Sequence, residues 1–358
     1  MYTPTLFSLS AGPRPPPRRG GAAATPMAFV RAIMQVYAQR GVDPGAALQA
    51  AQIAPEQVNQ EDARITAWQM EALCGAAMHE LDDEALGWFE RRLPWGSYGM
   101  LARASISAPH LGLALARWCR HHGLLTDAIT LSLNEDGDRA AITIIEHRPL
   151  GLEGSLREFC LVSVLRNIHG LACWFVDSHL PLLATEFPFD APTHAATYAL
   201  LFPGQARFGA AQAAIYFDKN YLALPLARDE AALRQMLQRA LPLTVRQYRH
   251  ERLVSARVRQ LLADEPTMLH GATLLAERLN LSPRTLHRRL QQEGSSLQQL
   301  KDEVRLGLAK QQLRHTSRPI KLVALAAGYA NEKSFIRAFR GWTGLAPAQW
   351  RAQSRSGG

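Results

Sequence analysis

The sequence predicts an α+β N-terminal domain followed by an all-α C-terminal domain with two helix-turn-helix units joined by a long helix. Three observations predict it. Helical and alternating patterns mix over residues 27–225, a pattern of short helix, tight turn and cationic helix occurs twice after residue 272, and the two halves carry charge of opposite sign. A chain of 358 residues also exceeds the usual size of one compact domain, and 47% hydrophobic with 20% charged residues suits globular folding.

Residues 1–26 contain Pro13, Pro15, Pro16 and Pro17 beside Arg18 and Arg19, without the continuous apolar stretch of a secretory signal. They read as a disordered tail, or else Met27, followed at once by helix-like sequence, is the true start of translation. Helices are expected over residues 27–40, 66–80, 110–122 and 153–175. Residues 127–145 hold the clearest strands: Ile129, Leu131 and Leu133 alternate with polar residues, Asp136 and Gly137 signal a turn, and Ile142 and Ile144 return. A later strand over residues 213–217 completes the α+β reading of residues 27–225.

No run of 18 or more apolar residues occurs. Residues 161–176 come closest but contain Arg166, Asn167 and His169, so no membrane partner is expected and the protein is placed in the cytoplasm. Cys74, Cys119, Cys160 and Cys173 lack the paired spacing of a zinc site or a disulfide framework and are expected to be reduced and partly buried. There is no G-x-S-x-G elbow, glycine-rich phosphate loop or H-E-x-x-H motif, so neither an enzyme nor a cofactor or metal is expected. The adjacent His121 and His122 would project about 100° apart on a helix, a poor chelating pair, and read as solvated. Trp68, Trp88, Trp95, Tyr98, Trp118 and Trp174 could line a cavity but read as core aromatics, and none is assigned to a ligand.

Residues 226–255 read as a linker helix and residues 256–353 as the second domain. From residue 241 onward 20 lysines and arginines stand against 8 acidic residues, a net +12, whereas residues 27–240 hold 17 against 23, a net −6. Most cations of the basic part are arginines dispersed among apolar helical positions. That distribution suits nucleic acid, bound in a salt-dependent manner through counterion release, over an anionic membrane.

Within the basic part, Leu275, Ala276 and Leu279 recur at the spacing of one helical face. Asn280 and Leu281 then make a tight connection, Ser282 is suited to cap a second helix, and Pro283 falls in its first turn, where a missing N–H costs nothing. In that helix Leu286 and Leu290 face inward, leaving Arg284, Thr285, His287 and Arg288 outside. About 48 residues later Val323, Ala324 and Ala327 echo the first helix, Gly328 and Tyr329 make the turn, and Phe335 and Phe339 replace the two leucines. Gly328 supplies a positive φ, Asn331 is the candidate cap, and Glu332, Lys333 and Arg337 lie outside. Trp342 and Trp350 read as core. Between the copies, residues 297–313 form one long helix with Leu300, Val304, Leu308 and Leu313 inward and Lys301, Arg305 and Lys310 toward solvent. Two short helices joined by a turn, the second presenting cations, fit the major groove of double-stranded DNA.

Residues 273–351 resemble the DNA-binding domain of the AraC/XylS family. The family's second motif is met at Gly328, Tyr329, Phe335, Arg337, Phe339, Arg340, Trp342, Gly344 and Pro347, and its first motif runs from Ala276 to Leu290. Ala330 departs from it, standing where members commonly carry a small polar cap. The segments GVDPGAALQAAQI, WGSYGMLARASISAPHLGLALARWCRHHG and IYFDKNYLALPL resemble an arabinose-binding-like N-terminal domain of AraC-type regulators, on a branch that includes ornithine-utilisation regulators. The resemblance implies a regulator of transcription, expected to be an activator, whose residues 27–225 sense an unidentified small-molecule effector or mediate dimerisation. It implies RNA polymerase as a partner and a homodimer as the assembly. It places Arg284, His287 and Arg288 at base-reading positions in the first unit, beside Ser282 and Thr285, and Glu332, Lys333 and Arg337 in the second, beside Asn331. Each arginine could read a base edge, touch phosphate or pair with a neighbouring acid.

Overall fold

The computed structural model describes residues 23–150, 154–238, 253–265, 268–269, 271–293 and 295–356. Apart from residues 177–179, the described residues up to 238 form one unit and those from 253 a second. Residues 1–22 of the expected tail and residues 239–252 of the expected linker helix lie outside the described residues.

The first unit opens with strand β1 (Ala23–Pro26), paired antiparallel with β2 (Arg64–Thr66). Residues 23–26 are therefore part of the fold rather than the end of a tail. Between these strands lie α1 (Met27–Arg40), α2 (Gly45–Ala50) and α3 (Pro55–Val58). There follow α4 (Ala67–Glu80), α5 (Ser97–Ile106), α6 (Leu111–His122), β3 (Ile129–Asp136), β4 (Arg139–Glu146), α7 (Ser155–Val176), β5 (Leu182–Phe187), α8 (Tyr198–Leu201), β6 (Gln205–Phe208), β7 (Ala213–Asp218) and α9 (Glu230–Leu237).

Helix starts follow cap chemistry. Thr66 accepts from the N–H of Gln69 at 3.3 Å while the Gln69 amide oxygen accepts from the N–H of Thr66 at 3.0 Å, a reciprocal box that opens α4. His110 caps α6 through Nδ1, which accepts from the N–H of Leu113. A five-stranded sheet, in the order β3-β4-β7-β5-β6, is antiparallel except between β5 and β6. Its buried face carries Ile129, Leu131, Ile142, Ile144, Ile215 and Phe217.

Helix α7 is long and apolar enough to cross a membrane by length and composition alone, yet here it packs against α1, α6 and β7 as a core helix. Half-buried Arg166 on this helix donates to the carbonyl of Leu201, and desolvation lowers its pKa to about 10. All four cysteines are free and buried, and burial pushes the thiols of Cys74 and Cys119 up to about 12, in Cys119 against the pull of a backbone hydrogen bond. Such thiols are poor nucleophiles.

Two expectations fail on α6 and the segment before α5. His122 is fully buried, not solvated, because it completes the inward stripe Leu111, Ala114, Leu115, Trp118, Cys119. Its ring lies against Phe89 and Tyr98, and burial lowers its pKa to about 4. Trp95 is 46% exposed and stacks on His79 rather than joining the core.

Residues 81–96, joining α4 to α5, are organised by two carboxylates. Asp83, fully buried, accepts from the backbone N–H groups of Ala85, Gly87 and Leu93, each at 3.0 Å, and pairs with Arg40. Glu84 accepts from the N–H groups of Gly96 and Tyr98. Burial raises its pKa against the pull of those bonds. The loop holds Asp82 and Leu86 at positive φ, a backbone cost that these bonds offset.

The first unit also runs past the boundary expected at residue 225. Helix α9, capped by Asp229, buries Leu233 and lies beside α5, where Arg103 pairs with Glu230 at 2.9 Å. Within the segment expected as one linker helix over 226–255, the described residues are non-helical at 226–229, helical over α9, and helical again from Val254.

The second unit contains α10 (Val254–Asp264), α11 (Ala272–Arg278), α12 (Pro283–Gln292), α13 (Leu297–His315), α14 (Ile320–Ala326), α15 (Glu332–Thr343) and α16 (Pro347–Ser356). It has two cores. Leu275, Ala276, Leu286 and Leu290 pack with Val258 and Leu262 in the first, and Val323, Ala324, Phe335 and Phe339 form the second with Trp342 and Trp350 against it. Helix α13 enters both, with Leu297 and Leu300 at one end and Ala309 and Leu313 at the other. Arg305, expected to face solvent, instead lies over the ring of Tyr329 at 5.0 Å with its side chain 14% exposed, because the helix is flanked by a core on each side. The Glu293 carboxylate accepts from the N–H groups of Val254 and Ser255 at 2.9 and 2.8 Å, tying the end of α12 to the start of α10.

Gly307 sits exposed in the middle of α13, and a Cβ there meets nothing within 4 Å. Gly307→Ala is expected to stabilise the helix by about 1 kcal/mol. Urea denaturation of the full chain checks it through a higher midpoint for the second unit, and an unchanged or lower midpoint counts against a straight, unobstructed α13.

Candidate nucleic-acid interface

Each helix pair is set by its turn. In the first, Asn280 adopts φ 55° and the N–H of Leu281 returns to the carbonyl of Ala276 at 2.9 Å. Ser282 Oγ then accepts from the N–H of Thr285 at 3.1 Å, with Pro283 in the first turn of α12. In the second, Gly328 adopts φ 76°, the N–H of Tyr329 returns to the carbonyl of Ala324, and Asn331 Oδ1 accepts from the N–H of Ser334 at 2.8 Å. The second turn is one residue longer, and Ala330 is the residue added. The cap therefore passes to Asn331, and the departure at Ala330 leaves the start of α15 intact.

Counting from the two caps aligns the helices. Arg284 corresponds to Lys333, His287 to Ile336, Arg288 to Arg337 and Gln291 to Arg340. These positions follow the i, i+3, i+4, i+7 rule, so each set shares one helical face. Leu286, Leu290, Phe335 and Phe339 occupy the opposite, buried face.

Arg284, His287, Arg288, Lys333 and Arg337 are exposed. Among the described residues their side chains make no hydrogen bond or ion pair, whereas the framework cations Arg259, Arg278 and Arg305 are paired with Glu303, Glu265 and Asp302. Four exposed cations held on two short helices without an internal counterion form a surface prepared for an external polyanion. Thr285 is half-buried, with its hydroxyl 2.8 Å from that of Ser282, and Glu332 is half-buried in the first turn of α15, where a carboxylate favours the helix start.

The sequence pattern did not assign Ile336 to this face, and it gave Arg340 only as a position of the family motif. Lys333, Ile336, Arg337, Arg340 and Gly341 line one shallow surface depression along α15. The signal was present in the spacing: Ala276 and Ala324 are 48 apart, but Leu286 and Phe335 are 49 apart, so the recognition helices align only after the turn is allowed its extra residue.

Comparison with known proteins agrees with this geometry. Residues 41–226 match the N-terminal arabinose-binding domain of AraC transcription regulators, and residues 275–353 match a helix-turn-helix domain. The ornithine utilization regulator of Pseudomonas aeruginosa is 29% identical over 327 residues, spanning 91% of this chain and 96% of that protein. An uncharacterized HTH-type transcriptional regulator of Mycobacterium tuberculosis is 24% identical over 328 residues, spanning 91% and 95%. Among solved structures, the transcriptional regulator CdpR from Pseudomonas aeruginosa aligns over 91% of this chain and 98% of its own with 21% identity and a TM-score of 0.33. With the arabinose-binding domain covering more than half of its length and a helix-turn-helix domain matched over residues 275–353, this chain belongs to the AraC family and is a DNA-binding transcription regulator, not an enzyme.

Proposed function

We propose that this regulator is a cytoplasmic one-component switch, an activator in which a small molecule held by the N-terminal domain changes how the C-terminal domain engages a promoter and RNA polymerase. The observation that carries the DNA-reading half is the pair of cap-aligned cationic faces on α12 and α15. Arg284, His287, Arg288, Lys333 and Arg337 meet base edges, Glu332 offers an acceptor suited to a cytosine amino group, and Ser282, Thr285 and Asn331 hold the helix starts that position them. Helix α13, of 19 residues, is about 28 Å long, commensurate with the ~34 Å between successive major grooves on one face of B-DNA.

The effector half is supported by the match of residues 41–226 to a domain named for arabinose binding, a name that does not make the ligand a sugar. The effector biases a two-state equilibrium by no more than its difference in affinity for the two states. The chain between α9 and α10 connects the two functions, and the N-terminal domain also joins two copies into a homodimer. The competing reading, a ligand-independent regulator whose N-terminal domain only dimerises, predicts a footprint that no metabolite alters. Footprinting with and without a metabolite panel separates the two.

The contacts are tested by single substitutions at the equivalent arginines. Arg288→Ala and Arg337→Ala are each expected to cost about 1 to 3 kcal/mol at a selected site and less on random duplex. Equal losses on both DNAs would demote the residue to a phosphate contact.

A further inference from the structure

We infer that Ile336 reads the 5-methyl group of a thymine in the major groove and so sets sequence preference in the second unit. The inference rests on the reading that α15 enters that groove.

Ile336 is a half-buried aliphatic side chain on an otherwise cationic face. It shares one surface depression with the exposed Lys333, Arg337 and Arg340, and it packs partly against the core that contains Phe335 and Phe339. The first unit, with a turn one residue shorter and leucines in place of the inward phenylalanines, carries an exposed histidine, His287, at the equivalent position, so a unit of this kind forms without an apolar residue there. What distinguishes position 336 is therefore the outward chemistry it presents. An isoleucine has no donor or acceptor, so on a groove-facing surface it can discriminate only by apolar contact. The thymine 5-methyl is the one apolar group that the major-groove edges of the four bases display. Lys333 and Arg337 flank it at i−3 and i+1, placing a donor on either side for the neighbouring acceptors. Partial burial against the second core restricts the side chain, so its orientation is set before DNA arrives. Gly341 leaves the end of the same depression open, since a Cβ there meets nothing within 4 Å. The two units then read different chemistry: donors throughout the face of α12, and donors around one apolar centre on α15.

The test selects tight-binding duplexes from a random pool with the full-length protein. Each thymidine of the selected site is then replaced singly by deoxyuridine, which lacks only the methyl group, and affinity is followed by fluorescence anisotropy. One position is expected to weaken wild-type binding roughly fourfold, the worth of one methyl-sized apolar contact. Ile336→Ala abolishes the thymidine-over-deoxyuridine preference at that position, while Ile336→Val keeps most of it. A site in which no thymidine responds to loss of its methyl overturns the inference without any variant having to fold. So does a response that persists unchanged in Ile336→Ala, since another side chain then makes the contact. Failure to enrich any duplex sinks the groove-entry reading itself, a result distinct from a site that binds but ignores the methyl.

Discussion

Replacing Asp83 by alanine is expected to destabilise the N-terminal unit by about 3 to 5 kcal/mol, enough to consume much of a typical domain's stability. The carboxylate is fully buried and is shared among three backbone N–H groups and Arg40. Its removal takes from Arg40 its anionic partner, leaving the guanidinium the carbonyl of Leu81, and leaves the buried N–H groups of Ala85 and Leu93 and the half-buried one of Gly87 without their acceptor, a desolvation cost of about 1 to 3 kcal/mol for each buried group. Residues 81–96 would then lack the bonds that hold Asp82 and Leu86 at positive φ. Arg40→Ala should cost less, because Asp83 keeps its three N–H donors and the arginine is already 16% exposed. Denaturant titration of both variants gives the ranking. An unfolding free energy for Asp83→Ala within about 1 kcal/mol of wild type would mean the loop is held by something else.

Acidification should destabilise the same unit through His122. Its folded pKa lies at about 4, against 6.5 for a free imidazole, because burial disfavours the cation. Above pH 6.5 the ring is neutral in both states and its full contribution is present. Between 6.5 and 4 the unfolded chain takes up a proton that the folded chain refuses, so stability falls, and below 4 the loss levels off at about 3 kcal/mol. Glu84 works in the opposite sense: its raised pKa lets the folded state take up a proton first as the pH drops. Comparing wild type with His122→Gln cancels that contribution. The variant should show a flatter dependence of unfolding free energy on pH over this window, and parallel curves would remove His122 as the cause.

What could be read from the sequence was whatever local chemistry decides alone. Thr66 with Gln69, Ser282 with Pro283, and Gly328 with Asn331 mark helix boundaries through bonds made within a few residues, and the structure places those boundaries within a residue or two of the pattern. The hairpin of β3 and β4 was equally visible in its alternation. Strands β5 and β6 were not, since six and four residues paired only through contacts with β7 and with each other carry little periodic signal. The burial of His122 is legible in its place on the inward stripe of α6, which its adjacency to His121 does not reveal. Arg305 is the converse case. A two-sided helix has no simple outer face, and an arginine there can lie along an aromatic ring. At the interface, the cations were plain from the start, but the alignment that brings Ile336 opposite His287 needed the extra residue in the second turn to be seen.

Helix α13 is rooted in both cores, so neither half of the C-terminal domain can rotate against the other without tearing a packed interior. An insertion or deletion of one residue along its straight run would swing everything beyond it by about 100° and shift it by ~1.5 Å. The pitch between the two reading heads is thus an inherited ruler. On the proposed reading, in which α12 and α15 both enter the groove, the spacing of the two half-sites in a promoter follows from this rod, and sequence preference from the outward side chains.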